Sequence, residues 1–370
     1  MGLFKTLFGK KELKKQISRE STNKNFSTEL KISNIERLTD QAVKVSFEVP
    51  LLHSEKYLFE PGQYLNIKVN INGNQVKRSY SICSDVNEPL SVGIKEVEDG
   101  YVSKFFNQNA KVGQKVIVSK PMGDFTIDEV KGHFVGIAAG SGITPILSIA
   151  KMIQRTDGAK MDLIYGNRDD KSIMFESELQ DFDKDKVNVT HIFSEQQKDG
   201  VLFGMMTEEI MANYFKENLN LDEINGFYIC GPEAVIIHSK NALQKLGVSD
   251  DKIHFELFTT PVSLEPINSN NEKSDFNGIS QVTVILDEEE ETFELVADGD
   301  TILEEAESYG MDAPYSCRGG ICSTCKAKVV EGSAKMDLNY TLSKEEVQEG
   351  FILTCQAHPT SEKVKITYDI

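Results

Sequence analysis

Apolar and polar residues alternate along the first third of the chain. Val43, Val45, Phe47 and Val49 keep a period of two, as do Leu65, Ile67, Val69 and Ile71 just before Asn72-Gly73. That period places successive side chains on opposite faces of an extended strand, and Asn-Gly suits a tight hairpin turn. Leu90, Val92 and Ile94 continue the alternation, and Val116 with Val118 adds a short strand. Residues 27–128 therefore predict a barrel or sandwich of antiparallel strands.

From about residue 132 the rhythm changes. Apolar runs at 134–138, 161–165, 187–193, 227–230 and 253–258 read as strands, and helical periodicity at 143–154, 207–215 and 233–246 separates several of them. Alternating strands and helices over 129–260 predict an α/β domain with a doubly wound parallel sheet. Residues 261–280 are polar and aperiodic, an interdomain linker. Beyond it, 281–370 offers strands at 282–286 and 292–296, a helix at 302–309, then a loop rich in cysteine.

Composition and charge extend this picture. The 370 residues are 39% hydrophobic and 26% charged, as expected of folded domains with several cores. No stretch reaches the roughly 18–20 apolar residues of a membrane helix, so no transmembrane segment is expected. Residues 1–26 form a basic N-terminal tail in which Leu3, Phe4, Leu7 and Phe8 share one helical face. Its apolar core is too short for a secretory signal, and a cytoplasmic protein is expected. The net charge of -18 argues against a nucleic-acid partner. Residues 281–370 alone hold seven basic and nineteen acidic side chains. The acidic run 288–291 reads as a solvated turn, with docking on a basic partner as the alternative.

Four of the six cysteines fall in this acidic segment. Cys317-x4-Cys322-x2-Cys325, with Cys355 after 29 intervening residues, has the plant-type spacing for a 2Fe-2S cluster. A tight loop wraps three thiolates around the irons while a distant segment brings the fourth. Gly319 and Gly320 let the backbone approach and turn N–H groups toward sulfur. A structural zinc site is the alternative, but the second Cys-x-x-Cys pair it needs is missing.

These residues also carry a resemblance. Tyr315-Ser-Cys-Arg-Gly-Gly-Ile-Cys-Ser-Thr-Cys325 and Leu353-Thr-Cys355-Gln resemble a plant-type ferredoxin domain, a β-grasp α+β fold. Upstream, Arg78-Ser79-Tyr80-Ser81 resembles the flavin signature of the ferredoxin–NADP reductase superfamily, whose flavin domain is an antiparallel β-barrel. The resemblance implies that Arg78 meets the FAD pyrophosphate, Tyr80 packs on the isoalloxazine and Ser81 lies near its N5. Val92-Gly-Ile94-Lys95, Gly100-Tyr-Val102-Ser103 and Pro121-Met-Gly123-Asp-Phe125 follow at the family's positions. From the residues alone, a cation suits a phosphate and an aromatic suits a flat ring. Gly100 and Ser103 open a helix whose first N–H groups can hold a phosphate.

Gly140-Ser-Gly142-Ile-Thr144-Pro145 lies between a predicted strand and helix, where a nucleotide pyrophosphate would sit. The superfamily resemblance implies that Thr144 approaches the contact of nicotinamide and flavin. It also places Cys230, of Cys230-Gly231-Pro232, beside the nicotinamide, and Phe258 near the flavin. Taken alone, Cys230 reads as a buried core thiol, the commoner role for such a residue. Tyr165-Gly-Asn-Arg168 has no acidic residue for a ribose 2′-OH, and Arg168 suits a 2′-phosphate, which favours NADPH over NADH.

The domain order, flavin then nucleotide then ferredoxin, resembles the reductase components of ring-1,2-phenylacetyl-CoA epoxidases and their relatives. It implies an NAD(P)H-dependent electron-transfer enzyme with FAD and a 2Fe-2S cluster, feeding an oxygenase component. Other hydroxylases, desaturases or Rieske oxygenases remain open as clients. A non-catalytic redox-sensing module is the reading from another class.

Overall fold

The computed structural model describes residues 27–71, 73–258, 276–315 and 317–370; the basic tail, Asn72 and most of the predicted linker lie outside them. The chain divides into two compact units, Glu29–Leu264 and a second containing Glu265–Ile370.

The first unit opens with six strands, β1 (Ser27–Thr39), β2 (Ala42–Glu48), β3 (Tyr64–Ile71), β4 (Asn74–Ser81), β5 (Ser91–Lys95) and β6 (Lys115–Ser119), in the order β4-β3-β6-β1-β2-β5. β1–β2, β2–β5, β3–β4 and β3–β6 pair antiparallel. A bridge from Ile82, just past β4, to Val92 of β5 joins the two ends, so the sheet closes as a barrel. The alternating residues read from sequence line its interior: Val43, Val45, Leu65, Ile67, Val92 and Ile94 are fully buried. Helix Tyr101–Gln108 plugs it with Val102 and Phe106.

Six further strands, β7 (Gly132–Ala139), β8 (Ala159–Asn167), β9 (Val187–Phe193), β10 (Leu202–Phe203), β11 (Ile224–Cys230) and β12 (Ile253–Glu256), form a parallel sheet in the order β10-β9-β8-β7-β11-β12. The chain runs outward from β7 to β10, then returns to the other side of β7 with β11. The crevice between the carboxyl ends of β7 and β11 is therefore a topological switch point, the usual ligand position in such sheets. Helices Ile143–Arg155, Glu208–Asn218 and Glu233–Lys245 match the predicted ones to within three residues. One core runs through both halves of this unit, from Ala42, Cys83 and Phe125 of the barrel to Ile143, Tyr165 and Cys230 of the parallel sheet.

In the second unit, β13 (Ile279–Leu286), β14 (Glu289–Val296), β15 (Lys326–Glu331), β17 (Phe351–Leu353) and β19 (Lys363–Thr367) form a sheet in the order β14-β13-β19-β15-β17, beside the pair β16 (Ala334–Met336) and β18 (Ala357–Pro359). Helix Ile302–Ser308 begins with a capping box between Thr301 and Glu304 and buries Ile302, Leu303 and Ala306.

Two boundaries differ from the sequence reading. Ile279 and Ser280 belong to β13 and not to the linker. The acidic run is mostly strand: Glu289–Val296 pairs with β13, and the turn is confined to Asp287 and Glu288. Both turn residues have positive φ, 53° and 65°. Their N–H groups each donate to the Asp369 carboxylate at 2.9 Å, which holds this uncommon conformation. The acidic side chains lie on an edge strand, where charge discourages pairing with another chain.

Candidate functional site

The flavin-signature residues lie along β4, with exposure falling from Arg78 to the buried Ser81. Arg78 is exposed, with one guanidinium nitrogen donating to the Lys77 carbonyl at 2.7 Å. Ser79 donates to Asn66 at 2.6 Å, which fixes β4 on β3. Tyr80 packs edge-on against Phe106, and burial raises its phenol pKa. Ser81 is buried, and its hydroxyl donates to the Glu256 carboxylate at 3.1 Å, across 175 positions of chain.

Ile94 and Val102 are buried in the barrel core, so their side chains serve packing and only their backbones are placed to meet a ligand. Gly100 caps helix Tyr101–Gln108, and the Ser103 hydroxyl donates back to the Gly100 carbonyl at 3.1 Å. The backbone N–H groups of that first turn have no partner within the helix and so fit an anionic group.

At the switch point the backbones of two loops touch. A Cβ on Gly142 would run into the Cys230 carbonyl, and one on Gly231 would lie 3.0 Å from the Ala139 Cβ. Gly140, with φ 54°, turns the chain from β7 toward the helix Ile143–Arg155. Thr144 is buried, its hydroxyl donates to the Ser141 carbonyl at 3.0 Å, and its methyl presses on Gly93 of β5, where no side chain intervenes. Cys230 is fully buried, and burial first, then the Glu256 charge, pushes its thiol pKa up. Pro232 caps the helix Glu233–Lys245. Phe258 is 44% exposed.

Lys95 reaches this crevice from β5, its ammonium 3.5 Å from the position of a Cβ on Gly140. Its pKa is lowered, by burial first and then by Arg168, with Asp169 opposing. Lys95 and Arg168 thus lie close enough to feel each other's charge, with Asp169 offsetting part of it, and a phosphate would relieve the remainder. Asn167, at the end of β8, is buried, and neither amide atom has a hydrogen-bond partner of acceptable geometry. An orphaned amide beside a switch-point crevice fits a polar ligand. The sequence motifs contain Asn167 and Glu256, in Tyr165-Gly-Asn-Arg168 and Glu256-Leu-Phe258, but give neither a role of its own. The uninterrupted run Tyr165-Gly-Asn-Arg168 is the available signal for the first, whereas the second becomes visible only through Ser81.

An ion-pair network ties the barrel to the parallel sheet. Lys44 of β2 meets Glu178 at 2.8 Å, Lys151 meets both Glu178 and Glu88, and Arg155 meets Asp85 at 2.9 Å. Partial burial alone would raise the Glu178 pKa, but hydrogen bonds and charge from Lys151 and Lys44 outweigh it and hold the carboxyl low. Ser148 adds a bond to the Ser84 carbonyl at 2.7 Å.

In the second unit the four cysteine thiols stand as two pairs, Cys317 with Cys322 and Cys325 with Cys355. Among the described residues no three His, Cys, Asp or Glu side chains converge as ligands of a single ion. Two pairs suit two irons better than one tetrahedral zinc, whose four ligands must meet at a point. Donors surround the sulfurs: the Cys317 N–H lies 3.4 Å from Cys322 Sγ, the Gly319 N–H 3.3 Å from Cys317 Sγ, and the Thr324 hydroxyl 3.1 Å from Cys322 Sγ. The Cys317 thiol is drawn down to about 7 by the bond from Cys322, against burial, with help from the Gly319 and Ile321 N–H groups. Cys355 is lowered in the same way by Cys325 and the Gly320 N–H. The loop reaches this geometry through positive φ at Arg318, Gly320 and Ser323. Their partners Cys322 and Cys325 are pushed up by the same shared bonds and by burial, so each pair holds one thiol eased toward thiolate, and the ring of N–H donors fits a cluster that gains negative charge on reduction.

Comparison with known proteins agrees with each part. Residues 29–127 match the oxidoreductase FAD-binding domain, 137–241 the oxidoreductase NAD-binding domain and 284–360 the 2Fe-2S iron-sulfur cluster binding domain. A component of the 1,2-phenylacetyl-CoA epoxidase of Escherichia coli K12 is 37% identical over 350 residues, covering 92% of this chain and 97% of its own. The ferredoxin reductase component of the Mycobacterium tuberculosis 3-ketosteroid-9-alpha-monooxygenase is 31% identical, covering 92% and 96%. Among solved structures, phthalate dioxygenase reductase shares the fold, with a TM-score of 0.55, 23% identity and coverage of 92% and 98%.

Proposed function

Because the chain belongs to the family of reductases that join FAD-binding, NAD-binding and 2Fe-2S domains, we propose that it is the reductase component of an oxygenase, with the phenylacetyl-CoA epoxidase type as first client. One observation carries this reading. Two thiol pairs suited to a 2Fe-2S cluster share a chain with a flavin barrel and a nucleotide sheet. When bound, FAD converts the two-electron hydride of NAD(P)H into the single electrons that an iron–sulfur cluster accepts.

The chain's own part is binding and alignment. Arg78 and the helix start at Gly100 would hold the FAD phosphates, with Ser79 and Tyr80 shaping the flavin face. Ser81, tied to Glu256, and Thr144, seated on Gly93, fix the barrel against the nucleotide sheet where flavin and nicotinamide would meet. Gly140, Gly142, Cys230, Gly231 and Pro232 would line the nucleotide's path. Cys317, Cys322, Cys325 and Cys355 would hold the irons. The cation pair Lys95 and Arg168 supports NADPH as the donor. Domain limits at 27–128 and 129–260 belong to the same proposal, as does a third domain expected at 281–370, whose start β13 moves back to Ile279. So does a cytoplasmic location, since four thiolate ligands call for a reducing compartment.

Anaerobic titration of the purified protein with NADPH, and separately NADH, tests the reading through visible absorbance. We expect both flavin and cluster bands to bleach, with NADPH effective at the lower concentration. Folded protein lacking either band would refute it, and equal response to both nucleotides would remove the case for NADPH. The 31% match to a steroid monooxygenase reductase favours a second client class. Reconstitution with each oxygenase separates the two. Sustained reduction of an artificial acceptor excludes a pure sensor.

A further inference from the structure

The second thiol pair joins residues far apart in sequence, and its support comes from a short relay of hydroxyls. β15 and β17 run antiparallel with Lys326 opposite Leu353, so Cys325 and Thr354 stand one step beyond that last pair. There the buried Thr354 grips the Cys325 carbonyl twice, through its N–H and its hydroxyl, each at 3.1 Å. With its hydrogen committed, the Thr354 oxygen can only accept at its 2.7 Å contact with the Tyr368 hydroxyl, which makes the phenol the donor. The direction of the relay is thus fixed: Tyr368 O–H to Thr354, Thr354 O–H to Cys325 C=O.

Tyr368 is anchored at several points. Its N–H donates to the Ile285 carbonyl of β13 at 2.9 Å. Its ring packs against the sheet core of Val282, Val284, Ile352 and Ile366, and also against the cluster-side core of Leu303, Leu353, Cys325 and Cys355. It therefore connects the rigid sheet to the cysteine loop.

We infer that Tyr368 is a positioning residue for the cluster: acting through Thr354, it fixes Cys325 against Cys355 and sets how readily the site takes up an electron. A donor chain ending on the carbonyl beside a ligating sulfur orders that dipole and favours added negative charge. The inference rests on the 2Fe-2S reading of the four cysteines.

The test is an EPR-monitored redox titration of the cluster-loaded full chain. Tyr368→Phe keeps the ring and removes only the donor. We expect the ratio of reduced to oxidised cluster at a fixed poise to fall by about threefold to tenfold, a tenfold fall being about 59 mV for one electron. Thr354→Val should move the midpoint at least as far, and Thr354→Ser, which keeps the hydroxyl, should stay near wild type. In the Thr354→Val background, Tyr368→Phe should add nothing, since the two act as one chain. A wild-type midpoint in Tyr368→Phe, or fully additive shifts, would overturn the inference. Should Tyr368→Phe fail to retain its cluster, the serine and valine variants decide, and equal midpoints for them would also overturn it. Absence of a reduced-cluster signal in the wild type would instead refute the 2Fe-2S reading.

Discussion

Replacing Glu178 by glutamine probes how the flavin barrel is held to the nucleotide sheet. The carboxylate joins Lys44 of the barrel to Lys151 of the helix Ile143–Arg155. Lys151 keeps Glu88 at 2.7 Å after the change, but Lys44, only 15% exposed, loses its partner. Breaking a fully buried pair costs about 3–5 kcal/mol, and the residual exposure here scales that to about 2–3 kcal/mol. For a unit of this size the loss corresponds to about 5–10 °C in melting temperature. Thermal unfolding followed by circular dichroism at pH 7 measures it. The pH dependence has a definite sign. Glu178 titrates below the ordinary glutamate value, so its stabilisation is complete above that range and fades as pH falls through its folded pKa. Wild type and variant should converge in acid. Lys44→Met combined with Glu178→Leu should recover most of the loss, because an apolar pair leaves no charge stranded. A Glu178→Gln melt within 1 °C of wild type (about the error of the method), or a double variant no better than the single, would refute the reasoning.

Three other outcomes follow from the geometry. Cys325→Ser should leave bleaching of the flavin by nicotinamide nucleotide intact while abolishing the reduced-cluster EPR signal and delivery to a one-electron acceptor; intact delivery would contradict the relay. Gly142→Ala, whose Cβ meets the Cys230 carbonyl, should weaken nucleotide binding by at least about tenfold in fluorescence titration, at a stability cost of about 1–3 kcal/mol, while flavin absorbance persists. Asp369→Ala frees two N–H groups of the turn at Asp287 and Glu288, and chemical denaturation should show the ferredoxin unit weakened by about 1–3 kcal/mol. Adding Asp287→Asn with Glu288→Gly, residues suited to that turn, should restore part of it.

Much of this molecule is legible in its sequence because local pattern and global fold agree. The period-two runs at Val43–Val45 and Leu65–Val69 point into the barrel because burial on one face leaves no other register. The cysteine spacing is equally local, since three ligands share one loop. What escapes depends on distant partners. The acidic run reads as a turn because charge marks exposure, and an edge strand is exposed as well. Its true turn, at Asp287 and Glu288, is chosen by a carboxylate 81 and 82 positions away. Glu256 opens the run Glu256-Leu-Phe258, but its pairing with Ser81 exists only after two sheets have docked. Tyr368 likewise gains meaning only from Thr354.

The strand order of the ferredoxin sheet bears on how the protein is made. β19 lies between β13 and β15, although it is the last of the three to be synthesised. Until Lys363–Thr367 emerges, β13 and β15 have a gap between them and the Thr354 clamp lacks its phenol. All four cysteines are therefore made before the strand that completes their support, Cys325 by 38 positions. The upstream unit makes its own late insertion, β6 between β3 and β1, but every strand of it precedes the linker. Flavin capture and cluster insertion thus have a built-in order in time, with the one-electron outlet finished last.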